Sequence, residues 1–206
     1  MREKLTEHEV TPHVTGDTPE EIERCKPLKS FYGMEARIMI LGLDDVGKTI
    51  ILYRLKLNET MTTIPTLGYD VEILEPMKND VSFTIWDVGG QIRIWHLWRH
   101  YFANTDGLLF VLDRADPERF EEAHLELVAI LENDAMWGVP VVVLAKKQDL
   151  VEARSTSVLV EELGLLKPMG HEWHVQGCCT TIGDGLVEGM EKMAEMVKQC
   201  GKTGSF

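Results

Sequence analysis

Residues 42–49 read Gly42-Leu43-Asp44-Asp45-Val46-Gly47-Lys48-Thr49, which matches the pattern G-x-x-x-x-G-K-[ST] at every specified position. A short apolar run at residues 37–41 precedes this stretch, and a helix-like segment at residues 48–56 follows it. Glycines in such a strand-to-helix loop let the backbone N–H groups point toward phosphate oxygens, and the start of the helix adds partial positive charge. The stretch therefore predicts a phosphate-binding loop in a fold that alternates strands and helices.

The side chains of this loop have separate expected roles. We expect Lys48 to reach the β- and γ-phosphates of a nucleotide as a point charge, and the Thr49 hydroxyl to ligate Mg²⁺. Ile50, the next residue of the helix, is included in the predicted nucleotide site. Asp44 and Asp45 would repel phosphates if they pointed inward, so we expect both carboxylates to face solvent.

Strand-like and helix-like segments alternate along the rest of the chain. Residues 71–74 and 81–86 are predicted strands separated by a turn-rich stretch, which indicates an antiparallel hairpin. Continuous apolar runs at 108–112 and 139–144 are typical of parallel strands covered on both faces. We therefore predict an α/β fold with a mostly parallel sheet, one antiparallel edge hairpin and helices on both faces. The other predicted elements are a strand at 173–178 and helices at 117–133, 155–163 and 185–199.

The composition fits one globular domain with a short extension. The chain has 206 residues, of which 44% are hydrophobic and 27% are charged, and single domains commonly contain about 100 to 200 residues. We predict a flexible N-terminal extension at residues 1–34, a domain at 35–200 and a tail at 201–206. The 34 acidic residues outnumber the 21 basic ones, which argues against binding nucleic acid through a broad basic face.

The cysteines and the N-terminal residues indicate a cell compartment. The four cysteines form no C-x-x-C pair, so a disulfide framework is not expected and a reducing cytoplasm fits best. The apolar runs are shorter than the roughly 20 residues that cross a bilayer. Arg2 stands where N-myristoylation requires glycine. We expect a cytoplasmic protein, and peripheral attachment to endomembranes without N-myristoylation stays open.

A second motif, Trp86-Asp87-Val88-Gly89-Gly90-Gln91, ends a predicted strand. Asp87 can hold Mg²⁺ through water, the Gly90 amide can donate to a γ-phosphate, and Gln91 stands where an attacking water needs orienting. The loop at residues 62–68 lies upstream, and a threonine in it can coordinate Mg²⁺ only while the γ-phosphate is present. The two motifs favour a nucleotide switch over an ATPase or a nucleoside kinase, which the phosphate loop alone would also fit.

The chain resembles the ADP-ribosylation factor (Arf and Arf-like) GTPases over roughly residues 35 to 199. The resemblance implies the small-GTPase fold of the P-loop NTPases, GTP or GDP and Mg²⁺ as ligands, Thr66 as the switch threonine and Gln91 as the catalytic glutamine. It is carried by Gly42-Leu43-Asp44, Lys48-Thr49, Ile51-Leu52-Tyr53-Arg54-Leu55-Lys56, residues 62–68 and 86–91, Leu97-Trp98-Arg99-His100-Tyr101-Phe102 and Gly183-Asp184-Gly185-Leu186.

The same resemblance implies surfaces for partner proteins. Family members work with a guanine-nucleotide exchange factor, a GTPase-activating protein and effectors, and the strand pair from Tyr69 to Trp86 would be the hairpin that shifts register between the GDP and GTP states. Tyr69, Trp86 and Tyr101 would form an aromatic effector patch, with ordinary core packing as the alternative. Trp95 follows Gln91 in an unusually apolar loop, and we favour a partner contact there over burial beneath the loop.

The guanine-reading motif of the family, N-K-x-D, appears here as Lys146-Lys147-Gln148-Asp149. The Asp149 carboxylate can accept the N1 and N2 protons of guanine, and the stem of Lys147 can lie over the base. Lys146 replaces the asparagine that would bond the base and tie this loop to the phosphate loop, and its amine offers donors but no acceptor. We therefore expect faster nucleotide exchange than in a Lys146→Asn variant.

A last nucleotide contact is expected near the C-terminus. Cys179 and Thr180 stand in the loop whose backbone amide contacts the guanine O6 in the family. Together these features predict an Arf-like GTP-binding switch that regulates vesicle or membrane trafficking and hydrolyses GTP slowly with Mg²⁺. One alternative is a pseudo-GTPase interaction module in which Lys146 weakens nucleotide binding; a phosphate-loop ATPase or kinase is the other.

Overall fold

The computed structural model of the chain describes residues 33–59, 63–66, 68–75, 80–91, 95–147, 156–163 and 170–203. Asp149, residues 92–94 and residues 1–32 of the predicted extension lie outside the described residues. The strands are β1 (Met34–Leu41), β2 (Tyr69–Leu74), β3 (Val81–Val88), β4 (Gly107–Asp113), β5 (Val141–Lys146) and β6 (Trp173–Gly177). The helices are α1 (Lys48–Leu57), α2 (Trp95–Trp98), α3 (Phe120–Leu131), α4 (Thr156–Glu162) and α5 (Leu186–Thr203), with 3₁₀ turns at Arg99–Tyr101 and Asp134–Met136.

The described strands form one mixed sheet in the order β2-β3-β1-β4-β5-β6. Strand β2 pairs antiparallel with β3 at one edge, in the register Tyr69↔Val88 to Leu74↔Phe83. The pairs β3–β1, β1–β4, β4–β5 and β5–β6 are all parallel. The predicted mostly parallel sheet, with its antiparallel edge hairpin and helices on both faces, is confirmed.

The core lies along the central strands. All residues of β5, all but the last residue of β4 and the last four residues of β1 are buried, which explains why these parts of the chain are continuous apolar runs rather than alternating ones. Ile40, Leu109 and Val143 are fully inaccessible to solvent, and burying each such side chain contributes about 1.5–3 kcal/mol relative to exposure. Among the described residues, no helix is long and apolar enough to cross a membrane.

Several predicted boundaries move for identifiable reasons. Strand β1 begins at Met34, inside the predicted extension, because its amide donates to the Asp80 carbonyl at 3.1 Å and continues the pairing with β3. Helix α3 begins at Phe120 rather than at Pro117, since the Asp116 carboxylate accepts the Arg119 amide at 3.2 Å in a turn before it. Helix α5 continues to Thr203, three residues into the predicted tail.

The sheet order places the functional motifs at one edge. Strand β1 has β3 on one side and β4 on the other, so the strand order continues from β1 in opposite directions within the sheet. Ligands of such sheets bind in the crevice outside the carboxyl ends of the strands at this reversal. The phosphate loop follows β1, the Gly89–Gln91 segment follows β3, and Lys147 follows β5.

Candidate functional site

The phosphate loop curls between β1 and α1 as the sequence predicts. Asp45 and Gly47 have φ angles of 57° and 79°, the left-handed conformation that turns successive N–H groups to one side. A side chain at Gly42 would place its Cβ 2.5 Å from the Val111 carbonyl oxygen, so only glycine fits there. Helix α1 starts at Lys48 and presents its N-terminal end to a cavity of about 350 Å³ that the loop lines.

Lys48 lies in the wall of this cavity and is almost fully buried. Its Nζ donates to the carbonyl oxygens of Gly42 at 2.9 Å and Leu43 at 2.8 Å. Burial lowers the pKa of Lys48 to about 8, although the nearby carboxylates, Asp87 first, favour the charged form. An anion in the cavity would stabilise the ammonium, because an opposite charge at close range favours the charged form.

Three oxygen-bearing side chains meet beside Lys48. The Thr49 hydroxyl donates to Asp87 Oδ2 at 2.5 Å and lies 2.9 Å from the Thr66 hydroxyl. Asp87 is fully buried, its Oδ1 has no hydrogen-bond partner among the described residues, and burial raises its pKa against the Thr49 hydrogen bond. Hydroxyl and carboxylate oxygens are the ligands Mg²⁺ prefers, and the unpartnered Oδ1 is the feature such an ion explains. The predicted ligand set fits Mg²⁺.

The segment after β3 is fixed against the phosphate loop. Gly90 is buried, and a Cβ there would collide with the Leu43 carbonyl and with Lys48 Nζ. The indole of Trp95 donates to the Gly90 carbonyl at 2.6 Å, and that of Trp98 donates to the Gly89 carbonyl at 2.9 Å. Because the C=O and N–H of one trans peptide point in opposite directions, holding the Gly89 and Gly90 carbonyls constrains the directions of the Gly90 and Gln91 N–H groups. Gln91 follows and lines the same cavity.

Trp95 has an inward role that sequence reasoning missed. Its ring is half-buried and lies 5.9 Å, centroid to centroid, from the ring of Trp98, in addition to its bond to Gly90. The preference for a partner contact over burial is therefore not supported by its placement, since the polar edge of the indole is directed at the chain itself. A buried indole N–H needs a hydrogen-bond acceptor. This requirement is the feature that could have indicated an inward contact of Trp95.

Lys146 ends β5 and reaches the phosphate loop. Its Nζ donates to the Val46 carbonyl at 2.5 Å across 100 residues of sequence, and the side chain is 7% exposed. Burial lowers the pKa of Lys146, and the Asp113 carboxylate partly opposes this effect. The expected loss of the tie between this loop and the phosphate loop is wrong, because the longer lysine side chain makes that tie itself.

The remaining base-side residues are placed in part. Lys147 is half-exposed, with Nζ 2.7 Å from Asp113 Oδ2, so its head group is held beside β4. The Cys179 amide donates to the Asp184 carbonyl at 2.9 Å. That amide is therefore not available for the guanine O6 as predicted, and a backbone donor from this loop has to come from a neighbour such as Thr180. The predicted base contact of Asp149 lies outside the described residues.

The two loop aspartates differ. Asp45 is exposed as expected, but Asp44 is paired with Arg119, and the expectation that Asp44 is merely solvated is wrong. Arg119 Nη1 also donates to the Asp44 carbonyl at 3.1 Å, and Nε donates to Glu122 at 3.2 Å. Arg119 lies 75 residues from Asp44 in sequence, and no local pattern in the chain predicts that contact.

The three predicted aromatic residues do come together. The rings of Tyr69 and Trp86 are stacked at 5.4 Å, and Tyr101 lies 5.4 Å from Tyr69 and 6.3 Å from Trp86. Trp86 is buried, so its ring packs in the core against the two partly exposed tyrosines, and the effector patch stays a prediction. Arg37, which the sequence did not single out, stacks over Trp86 at 4.0 Å and donates to the Tyr101 carbonyl at 3.2 Å.

Comparison with known proteins agrees with this arrangement. Residues 25–197 match the model of the ADP-ribosylation factor family. The structure of the Arl6 BBS3 small GTPase from Trypanosoma brucei, with bound nucleotide analogue GppNp, is similar, with a TM-score of 0.73 and 30% sequence identity. That match covers 81% of this chain and 99% of the other. With its phosphate loop and P-loop small-GTPase fold, this chain belongs to the ADP-ribosylation factor family of GTP-binding regulatory GTPases.

Proposed function

We propose that this chain binds GTP with Mg²⁺, switches between GDP and GTP states, and hydrolyses GTP slowly with the help of Gln91. The cluster of Thr49, Thr66 and Asp87 carries this proposal, because its three side chains come from three separate segments of the chain. Thr66 is in a loop, whereas Thr49 lies in the first turn of α1 and Asp87 is the penultimate residue of β3. A loop whose threonine hydroxyl joins such a cluster is suited to ordering and release as the nucleotide changes.

Mg²⁺ fits the oxygen cluster and, when bound, neutralises charge on the β- and γ-phosphates. Thr49 and Thr66 would hold it with their hydroxyls, and Asp87 would hold it through water. Lys48 would move from the Gly42 and Leu43 carbonyls to the phosphate oxygens. The loop amides from Asp45 to Thr49 would surround the β-phosphate, which removes the need for a large cationic surface on this acidic protein.

Gln91 is the residue we assign to catalysis. It lines the cavity beside Gly90 and Thr66, where its side-chain amide can orient a water toward the γ-phosphate while the Gly90 amide donates to that phosphate. No arginine is among the described residues that line the cavity. Since an arginine supplied by an activating protein is worth about 10³ to 10⁵ in rate, slow hydrolysis by the chain alone is expected.

The role in the cell is proposed from the family. An exchange factor, a GTPase-activating protein and effectors are the expected partners, and regulation of vesicle or membrane trafficking is the expected process. Tyr69 and Tyr101 are half-exposed beside the switch loop, which supports an effector contact whose floor is Trp86. Residence in the cytoplasm is part of this proposal, which leaves peripheral attachment to endomembranes open.

The alternative of a pseudo-GTPase module rests on Lys146. The Lys146–Val46 hydrogen bond favours retained nucleotide binding, because the substitution preserves a connection between β5 and the phosphate loop. A phosphate-loop ATPase or kinase is disfavoured by the Thr66 to Gln91 arrangement. The pseudo-GTPase alternative predicts that the purified protein holds no nucleotide. The ATPase or kinase alternative predicts that it holds an adenine nucleotide.

The test starts with the nucleotide that copurifies with the protein. Heating the purified chain and separating the supernatant by ion exchange should yield about one GDP or GTP per protein, and an adenine nucleotide or an empty protein would contradict the proposal. A Gln91→Leu variant should bind GTP like the wild type but lose most single-turnover hydrolysis, by about a hundredfold. Equal hydrolysis in the two proteins would remove Gln91 from the mechanism.

A further inference from the structure

Arg119 is bound to Asp44 in the phosphate loop through its guanidinium group. Its Nη1 donates to the Asp44 carbonyl at 3.1 Å, and its Nη2 is paired with the Asp44 carboxylate. Its Nε donates to Glu122 in the first turn of α3 at 3.2 Å, which fixes the guanidinium from the other side. Arg119 therefore makes both a charge contact and a backbone contact with one loop residue.

Asp44 places a carboxylate in the lining of the proposed phosphate site. It lines the same cavity as Thr66, Gly90 and Gln91, and its neighbour Leu43 is the residue against which Gly90 packs. A free carboxylate at this end of the cavity would repel the terminal phosphate of a bound nucleotide. That repulsion would be larger for a triphosphate than for a diphosphate, because the triphosphate places one more charged group at the Gln91 end.

The guanidinium counters this repulsion in two ways. Its positive charge lies against the Asp44 carboxylate and offsets it. Its bond to the Asp44 carbonyl also fixes the peptide that follows. Because a trans peptide directs its C=O and N–H oppositely, holding that carbonyl toward Arg119 turns the Asp45 N–H away from Arg119.

We propose that Arg119 is a positioning residue that holds Asp44 aside and sets the preference of the site for GTP over GDP. The proposal rests on the guanine-nucleotide binding proposed above. Arg119 touches neither the cavity nor any reacting atom, so its effect is transmitted through Asp44. Its side chain is 32% exposed and that of Asp44 is 39% exposed, so solvent screens the pair and the effect on affinity is modest.

The experiment compares Arg119→Met, Asp44→Asn and the double variant by displacing a fluorescent GDP with GDP or with GppNHp. Arg119→Met should lower affinity for GppNHp relative to GDP by about three- to fivefold. The double variant should restore the wild-type ratio, because the repelling charge is gone. Raising KCl from about 0.05 to 0.5 M should shrink the deficit of Arg119→Met, since salt screens exposed charges. Arg99→Met, an exposed arginine outside the site, is the matched control.

The other possible outcomes contradict either the positioning role of Arg119 or the proposed function. An unchanged GppNHp-to-GDP ratio in Arg119→Met, or a deficit that Asp44→Asn does not repair, overturns the positioning role. If Arg119→Met does not fold, Asp44→Asn alone decides: with Arg119 unopposed its preference for GppNHp should rise, and an unchanged ratio overturns the proposal. If the wild type binds no guanine nucleotide, it is the proposed function that fails.

Discussion

The Thr66 hydroxyl lies 2.9 Å from the Thr49 hydroxyl, although 17 residues separate them in sequence. Thr49 is the second residue of α1 and also donates to Asp87 Oδ2 at 2.5 Å. Two hydroxyls and a carboxylate thus converge at one point between the phosphate loop, the loop before β2 and the end of β3. The described residues Ile64 and Pro65 beside Thr66 are exposed, with Ile64 82% accessible to solvent. The Thr66 hydroxyl therefore joins this exposed segment to the phosphate loop and to β3.

Thr66→Ala should weaken binding of GppNHp with Mg²⁺ by about tenfold or more, because a metal-binding oxygen is lost. Binding of GDP should change little, since the loop threonine is proposed to engage Mg²⁺ only beside a γ-phosphate. Dissociation of fluorescent GppNHp and GDP, followed in excess Mg²⁺, measures both. Thr66→Ser keeps the hydroxyl and serves as the matched control. Equal loss for the two nucleotides would contradict the switch role of Thr66.

Trp95→Phe should slow single-turnover GTP hydrolysis by about fivefold while leaving nucleotide affinity unchanged. The substitution keeps the ring but removes the N–H that holds the Gly90 carbonyl, and a lost hydrogen bond is typically worth about 1 kcal/mol. Gln91 would then be positioned less well. Trp137→Phe changes a tryptophan that is 72% exposed and should leave hydrolysis at the wild-type rate. A Trp95→Phe protein with normal hydrolysis would indicate that the indole bond does not orient Gln91.

Lys146→Met should release GDP about tenfold faster than the wild type. Methionine fills similar space but cannot donate to Val46, and a hydrogen bond from a charged donor is worth about 1.5–3 kcal/mol. Because lysine already makes the tie, Lys146→Asn and the wild type should release GDP at rates within about threefold of each other. Stopped-flow release of fluorescent GDP measures all three. Lys192→Met changes a partly exposed lysine of α5 that donates to Glu195, far from the phosphate loop in sequence, and is the control; much slower release in Lys146→Asn would restore the expectation drawn from sequence.

The parts of the fold that the sequence predicted are those encoded locally. The phosphate loop is a contiguous motif, and the buried strands β4 and β5 are contiguous apolar runs. Both can therefore be predicted without knowledge of the tertiary contacts. Strand ends were less predictable, since Met34 joins β1 only because Asp80 lies opposite it. Such pairing depends on a residue 46 positions away.

The site shows the same division. Thr49, Asp87 and Gln91 were predicted from motifs, and Thr66 from the family resemblance. The structure brings Thr49, Thr66 and Gln91 to one cavity and places Asp87 against Thr49. The contacts of Arg119 with Asp44, and of Lys146 with Val46, join segments that are distant in sequence and follow no motif. Long cationic side chains can reach several partners, so the tertiary packing determines which partner each side chain contacts. For the same reason the N-K-x-D pattern did not predict that Lys146 bonds to Val46.

Alkaline pH should destabilise the fold through Cys178. Burial raises the pKa of this thiol from 9.0 to about 12, so above about pH 9 the unfolded chain loses a proton that the folded chain keeps, and stability falls as pH rises. Between pH 8 and pH 10 the free energy of unfolding should drop by about 1.4 kcal/mol more in the wild type than in Cys178→Ala. Burial lowers the pKa of Lys146, an effect of opposite sign that both proteins share. Urea unfolding under reducing conditions measures the difference, and parallel pH profiles would show that the thiol ionises as readily in the fold as outside it.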